Sequence, residues 1–183
     1  HLKGGGIIAI KGVGGYHLVC DAANDAAVQR LRARKRRPDK PLAVMFPLAG
    51  DDGLDAMRTC LDLDETTAAA ILDPARPIVL ARKRSDFSLS RFLAPGLGEL
   101  GVFLPYSPLH HQLLQAYGKP IVATSGNVSG EPVITDNAEA QDRLDKVADA
   151  FLHHDRPIVR PADDPVIRLM AGAARTIRLG RGI

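Results

Sequence analysis

A single α/β domain, with one sheet covered by helices, is the fold predicted by this sequence of 183 residues. Three observations predict it. Short β-branched runs alternate with helix-like segments along the chain. Glycine, proline or a capping residue bounds most of them. The composition, 45% hydrophobic and 25% charged, is ordinary for a globular protein and excludes a disordered tail, a collagen-like fibre and a disulfide-stapled miniprotein. No apolar run approaches the roughly 20 residues that span a bilayer. No secretion signal opens the chain, so a cytoplasmic protein with no membrane partner is expected. The first residue is His1, as expected of a domain excised from a longer multidomain chain.

In order, Ile7-Ile8-Ala9-Ile10 reads as a buried strand between glycines. Asn24 caps a helix over 25–35 with Val28 and Leu31 on one face, and Pro38 lies just beyond its end. Leu42 to Phe46 is a second strand. Segment 51–73 has helical spacing without a clean apolar face. Pro77 to Leu80 is a third strand, and 82–98 is polar and irregular. Gly101 to Leu104 is a further strand. Leu109, Leu113, Leu114 and Tyr117 then line a helix ended by Gly118 and Pro120. Ile121-Val122-Ala123 leads into Thr124-Ser125-Gly126-Asn127. Asp136 and Glu139 form a capping box for a helix reaching about Ala150, with Val147, Ala150 and Phe151 on its apolar side. Strand-like pieces follow around Ile158, Val166-Ile167 and Thr176-Ile177.

Net charge is only +3, yet the charges are sorted along the chain. Arg30, Arg32, Arg34, Lys35, Arg36, Arg37 and Lys40 are concentrated around one helix end, with Asp39 the only acid among them. The helix dipole accounts for Arg34 and Lys35. Arg30 and Arg34 repel at i,i+4 spacing, and the remaining cations add to the field, which points to a bound anion or to nearby acids. Guanidinium forks and a lysine suit phosphate oxygens. Cys20 and Cys60 form no CxxC pair and read as buried thiols in a reducing compartment. The histidines supply no zinc-finger spacing, and no structural metal is expected.

Three further segments carry polar chemistry. Ser125 and Asn127 follow a strand, where α/β folds place ligands, although Ser, Gly and Asn also make ordinary turns. Lys11-Gly12-Val13-Gly14-Gly15-Tyr16-His17 is glycine-rich without being a P-loop or a dinucleotide fingerprint. Asp163 and Asp164 either hold a magnesium ion or pair with the arginines around them, Arg160, Arg168, Arg175, Arg178 and Arg181.

Together these segments resemble the YrdC-like family over essentially the whole chain. Its lysine-x-arginine motif reads Lys35-Arg36-Arg37-Pro38, followed by Lys40-Pro41-Leu42. Its serine-x-asparagine motif reads Ser125-Gly126-Asn127-Val128-Ser129-Gly130, and its closing arginine is matched by Arg178. The resemblance implies a twisted mixed sheet around a positively charged concave surface that binds ATP. It implies adenylation of a carbamate-type carboxylate with release of pyrophosphate. Within the family the chain is most similar to the central domain of the HypF carbamoyltransferases, which mature nickel–iron hydrogenases. Ala9 to Leu18, Cys20-Asp21-Ala22, Leu31 to Lys35, Pro41 to Met45, Leu104 to His110, Thr124 to Asn127 and Asp163-Asp164 carry that similarity. Threonylcarbamoyl-adenylate synthases of the same family carry threonines where this chain has Gly12 and Gly14, and a proline where it has Lys11. That departure argues for carbamate as the smaller substrate. Pro165 also departs from HypF, where a serine usually follows the aspartate pair.

The resemblance implies these roles. Lys35, Arg37, Arg34 and Lys40 hold phosphates, with Ser125, Asn127 and Ser129 on the triphosphate and Arg178 and Arg181 closing the site. Lys35 and Arg37 are then catalytic, joined by Lys11 and His17 at the carbamoyl end. Magnesium accompanies ATP. Carbamate or carbamoyl phosphate, a carbamoyl-transfer domain in the same longer chain and a HypE-type acceptor are the remaining expected partners. The alternatives are a threonylcarbamoyl-adenylate synthase of tRNA modification and a non-catalytic double-stranded RNA-binding module. The scarcity of aromatic residues, 4% of the chain, disfavours base stacking.

Overall fold

The computed structural model describes residues 1–127 and 130–183. Its strands are β1 (Ile8–Lys11), β2 (Tyr16–Asp21), β3 (Val44–Met45), β4 (Leu61–Asp62), β5 (Ile78–Lys83), β6 (Glu99–Phe103), β7 (Ile121–Ser125), β8 (Ala150–Leu152), β9 (Val166–Met170) and β10 (Ala173–Arg178). The helices are α1 (Asp25–Lys35), α2 (Asp55–Arg58), α3 (Glu65–Leu72), α4 (Pro108–Tyr117) and α5 (Asn137–Arg143). The strands form one mixed sheet in the order β10-β9-β5-β6-β3-β7-β2-β1-β8, with β4 also on β5.

Strand alternation gives the sheet two faces. On one face Ala9, Leu18, Val44 and Val122 join Val28 and Leu31 of α1, Ile71 of α3 and Ala140 of α5 in the larger core. On the other, Ile10, Val19, Met45, Ile121 and Ala123 meet Leu114 of α4 in a smaller one. Asn24 accepts from the Ala27 amide, which sets the start of α1. The helix ends at Arg36 in the left-handed region, φ 54°. Cys20 and Cys60 are free and buried, as the sequence predicts. No helix among the described residues is long and apolar enough to cross a membrane.

Two expectations are corrected, and one strand is added to those the sequence predicts. The glycine-rich stretch is a hairpin loop joining β1 to β2, in which the Gly12 amide donates to the Gly15 carbonyl. β2 is buried at every position, so it shows no alternation and escapes a periodicity reading. The capping-box helix ends at Arg143, well short of Ala150. The Ile7 amide donates to Asp149 Oδ2 at 2.8 Å, and Ala150–Leu152 pairs parallel with β1. Ile158 lies in irregular chain, not in a strand.

Candidate functional site

Lys35 is the last residue of α1, and its side chain is 1% exposed. β7 delivers the Ser125-Gly126-Asn127 turn to its ammonium. Nζ donates to Asn127 Oδ1 at 2.7 Å, to the Asn127 carbonyl at 2.9 Å, to Ser125 Oγ at 3.4 Å and to the Ser125 carbonyl. Ser125 Oγ donates to Asn127 Oδ1 at 2.8 Å. Gly126 is required here, because a Cβ would stand 2.5 Å from Tyr16 Cβ and 2.7 Å from the Tyr16 carbonyl. Burial, and then the Arg37 charge, push the Lys35 pKa down to about 7. The basic helix end and the hydroxyl-and-amide turn therefore form one unit. Ser129 lies outside the described residues.

Beside this unit is a cavity of about 210 Å³ on the sheet face that α4 covers only in part. Ala43, Gly101 and Ala123 line it, and their small side chains keep it open. Arg37, Arg178, Ser125 and His17 also line it, together with Asp163 and Asp164, so the lining carries both signs of charge. Arg37 Nη2 donates to the Pro41 carbonyl at 2.9 Å. Its pKa is lowered by burial, then by the charges of Arg32 and Arg178. Arg37 and Arg178 thus share one repulsive field at the cavity. The volume is below the roughly 300–1,000 Å³ typical of ligand pockets, so a nucleotide would extend beyond it.

The opposite wall is closed on itself. Asp164 Oδ2 lies 3.0 Å from His17 Nε2, and Asp164 Oδ1 accepts from Arg181 Nε at 2.8 Å. The Arg181 guanidinium lies 3.2 Å from the Tyr106 ring centroid and donates to the Ala75 and Arg76 carbonyls. Burial alone would push the Asp164 carboxyl up. The hydrogen bond and charge of His17, with Arg181 and Tyr106, hold it well below the usual carboxylate range. Arg178 Nη2 donates to the Asp164 carbonyl at 2.7 Å. Behind His17, the buried His110 ring is stacked at 5.6 Å, and neither of its nitrogens has a partner among the described residues.

The structure sorts the predicted residues. It brings Lys35, Arg37, Ser125, Asn127, Arg178 and His17 together. It does not bring Arg34, whose guanidinium pairs with Asp149 at 2.7 Å and donates to the Val147 carbonyl. The Arg181 guanidinium is held by Asp164, the Tyr106 ring and two carbonyls. Lys40 is exposed, and its carbonyl accepts from Arg32. Lys11 is turned away from this cavity, into another beyond the β1–β2 loop. With both Asp164 oxygens engaged, the aspartate pair does not fit a magnesium site. No group of three or more His, Cys, Asp or Glu able to hold a metal occurs among the described residues.

Two residues carry parts the sequence did not indicate. Arg32 reads as one more cation of the basic cluster. Its guanidinium instead reaches five carbonyls, those of Phe92, Leu93, Arg37, Pro38 and Lys40, and so shapes the loop that aims Arg37. Tyr106 lines the cavity as the platform for Arg181. Tyr106 meets Arg181 far along the chain, and Arg32 joins the nearby Arg37, Pro38 and Lys40 carbonyls to the distant Phe92 and Leu93 carbonyls, so the spacing of the basic cluster marks neither.

Comparisons with known proteins identify the family and the fold. The chain matches the Sua5/YciO/YrdC family, described as "Telomere recombination", over residues 1–180. It is 48% identical over 182 residues to carbamoyltransferase HypF of Synechocystis sp., covering 100% of this chain and 23% of that protein. It is 52% identical over 168 residues to carbamoyltransferase HypF of Rhodobacter capsulatus, covering 92% and 22%. A crystal structure of full-length HypF in its phosphate- and nucleotide-bound form superposes with TM-score 0.93 at 44% identity, covering 99% of this chain and 28% of that one. E. coli YciO shares the fold, with TM-score 0.80 at 24% identity, covering 98% of this chain and 85% of that one. The chain spans about a quarter of the length of the HypF relatives it matches. It belongs to the Sua5/YciO/YrdC family, and it matches the corresponding domain of HypF carbamoyltransferases over essentially its whole length.

Proposed function

We propose that this chain is the adenylate-forming domain, within a longer protein, of a HypF-type carbamoyltransferase. It takes carbamate, derived from carbamoyl phosphate, and ATP, and forms carbamoyl-adenylate and pyrophosphate. A carbamate oxygen attacks the α-phosphorus, and the bond from that phosphorus to the bridging oxygen of the pyrophosphate breaks. The observation that carries this reading is the Lys35 ammonium locked to Ser125 and Asn127 beside a cavity where Arg37 and Arg178 repel one another. Cations that repel in the free protein are stabilised by a polyanion, and charge growing on the departing pyrophosphate strengthens that stabilisation. Lys35 sets the shape of the turn, Ser125 and Asn127 position the phosphates, and Arg37 and Arg178 neutralise them. His17, held by Asp164, faces the acyl end. Magnesium accompanies ATP, carried by phosphate oxygens and water. The domain serves nickel–iron hydrogenase maturation in the cytoplasm, and its product passes to a carbamoyl-transfer domain of the same longer chain for a HypE-type acceptor.

The test is carbamoyl-phosphate-dependent exchange of labelled pyrophosphate into ATP, with carbamate supplied by an added acylphosphatase. Exchange is expected, and none with threonine and bicarbonate. Curated relatives 28–31% identical are threonylcarbamoyl-AMP synthases, so exchange that needs threonine would move the assignment to that activity. Exchange with neither, in a protein that binds short duplex RNA not displaced by ATP, would replace both with a binding module.

A further inference from the structure

The β1–β2 loop has a second hollow behind it. Gly14 and Gly15 face the cavity described above, whereas Gly12 and Val13 face a separate one, also of about 210 Å³. Lys11, Ser107, Leu109, His154, Arg156 and Ile158 line it, and no acidic side chain does. Lys11 is only 5% exposed. Among the described residues its Nζ donates to one acceptor, the His154 carbonyl at 3.1 Å, and Asn137 Nδ2 already donates to that oxygen at 3.2 Å. His154 Nδ1 is buried without a partner among the described residues. Asp136, the N-cap of α5, feels the Lys11 charge but is not part of the lining.

A buried ammonium with one shared acceptor is under-satisfied, since it has two further donors to place. Arg156 adds a second positive charge at the same hollow. The Leu109 amide, in the first turn of α4, has no intrahelical acceptor. Apolar walls from Val13, Leu109 and Ile158 flank the two cations. We infer that this hollow is a second anion site, separate from the nucleotide cavity, that takes one small oxyanion, a carboxylate or a phosphate, on Lys11 and Arg156.

The inference stands whatever fills the first cavity. The test is a titration of the protein, saturated with a non-hydrolysable ATP analogue, with inorganic phosphate and separately with bicarbonate. Methyl resonances report where the anion binds. Saturable shifts at Val13, Leu109 and Ile158 are expected. Lys11→Met should weaken the binding at least tenfold, and Arg156→Gln about threefold. Arg156 is exposed, so its variant keeps the test valid should Lys11→Met fail to fold. Response to phosphate alone, bicarbonate alone or both supports the site and identifies which oxyanion it takes. Shifts confined to Leu42 and Val166 of the first cavity, or affinities unchanged in both variants, overturn it. Should the ATP analogue not bind, the nucleotide reading fails, while the same titration without it still decides this site.

Discussion

The two walls of the main cavity are built from the same residue types and behave in opposite ways. On one wall Lys35 and Arg37 meet, among the described residues, only neutral oxygens, those of Ser125, Asn127, Lys40 and Pro41. On the other, Arg181 and His17 converge on one carboxylate, Asp164. A cation that has met its counter-charge stabilises the fold and has nothing left for a ligand. A cation held by carbonyls stays under-compensated, and its lowered pKa is the sign of that. The difference lies in the partners and not in the side chains. Arginine on one wall is structural, and arginine on the other is available to an anion.

That contrast breaks most visibly at Asp164. Asp164→Asn leaves Arg181 and His17 without their shared charge, and breaking a buried pair costs about 3–5 kcal/mol. For a chain of this size the melting temperature should fall by about 10 °C. ATP affinity by calorimetry should stay within about threefold. The sign with pH follows from the depressed carboxyl. Its contribution is present above the ordinary carboxylate pKa of about 4 and is lost as pH falls below it. The acid limb of the wild-type stability curve should therefore be steeper than that of the variant. A large loss of nucleotide affinity with unchanged melting would invert the assignment of the two walls.

Lys35→Met sharpens the contrast from the other side. Removing charge-assisted hydrogen bonds around the turn should weaken ATP binding by about 1–3 kcal/mol, read by titration calorimetry. Its melting temperature should move less than that of Asp164→Asn. Unchanged nucleotide affinity here would remove the support for the functional wall. Gly126→Ala comes next: the added Cβ would press on Tyr16, displace the turn and lower ATP affinity about tenfold, while circular dichroism stays native.

How much of this was legible follows from the range of each interaction. Asn24, Asp136 and Ser107 each cap a helix through an amide three residues on, so those starts can be read locally. The meeting of Lys35 with the Ser125 turn was expected from the family motifs, which hold both ends of a contact spanning 90 residues. The split within the basic cluster was not legible. Arg34 finds Asp149 across 115 residues and Arg32 finds Leu93 across 61, and nothing in the local spacing distinguishes them from Arg37. β8 was read as the end of a helix because Val147, Ala150 and Phe151 have helical spacing. A pairing with β1, more than 140 residues away, overrides that local pattern.

The smallest expected effect is a pH dependence set by Lys35. Burial and Arg37 lower its pKa to about 7, from an ordinary value of 10.5. Only the protonated form attracts phosphate, so ATP affinity should be level below pH 7. Above it, affinity should fall by at most tenfold per unit, the slope of one proton. A bound polyanion favours the ammonium, so binding near pH 7.5 should take up a fraction of a proton, seen as a dependence of calorimetric heat on the buffer's ionisation enthalpy. Free-protein stability should move the other way. Between pH 7 and 10.5 the unfolded chain holds a proton that the folded one has shed, so Lys35 makes stability rise with pH across that window. Arg37→Gln supplies the control. Removing the neighbouring charge should raise the Lys35 pKa and move the descending limb of the affinity curve to higher pH. An affinity curve flat from pH 6 to 9 in both proteins would show that the ammonium is not coupled to the nucleotide, and that wall would be as self-contained as the one built on Asp164.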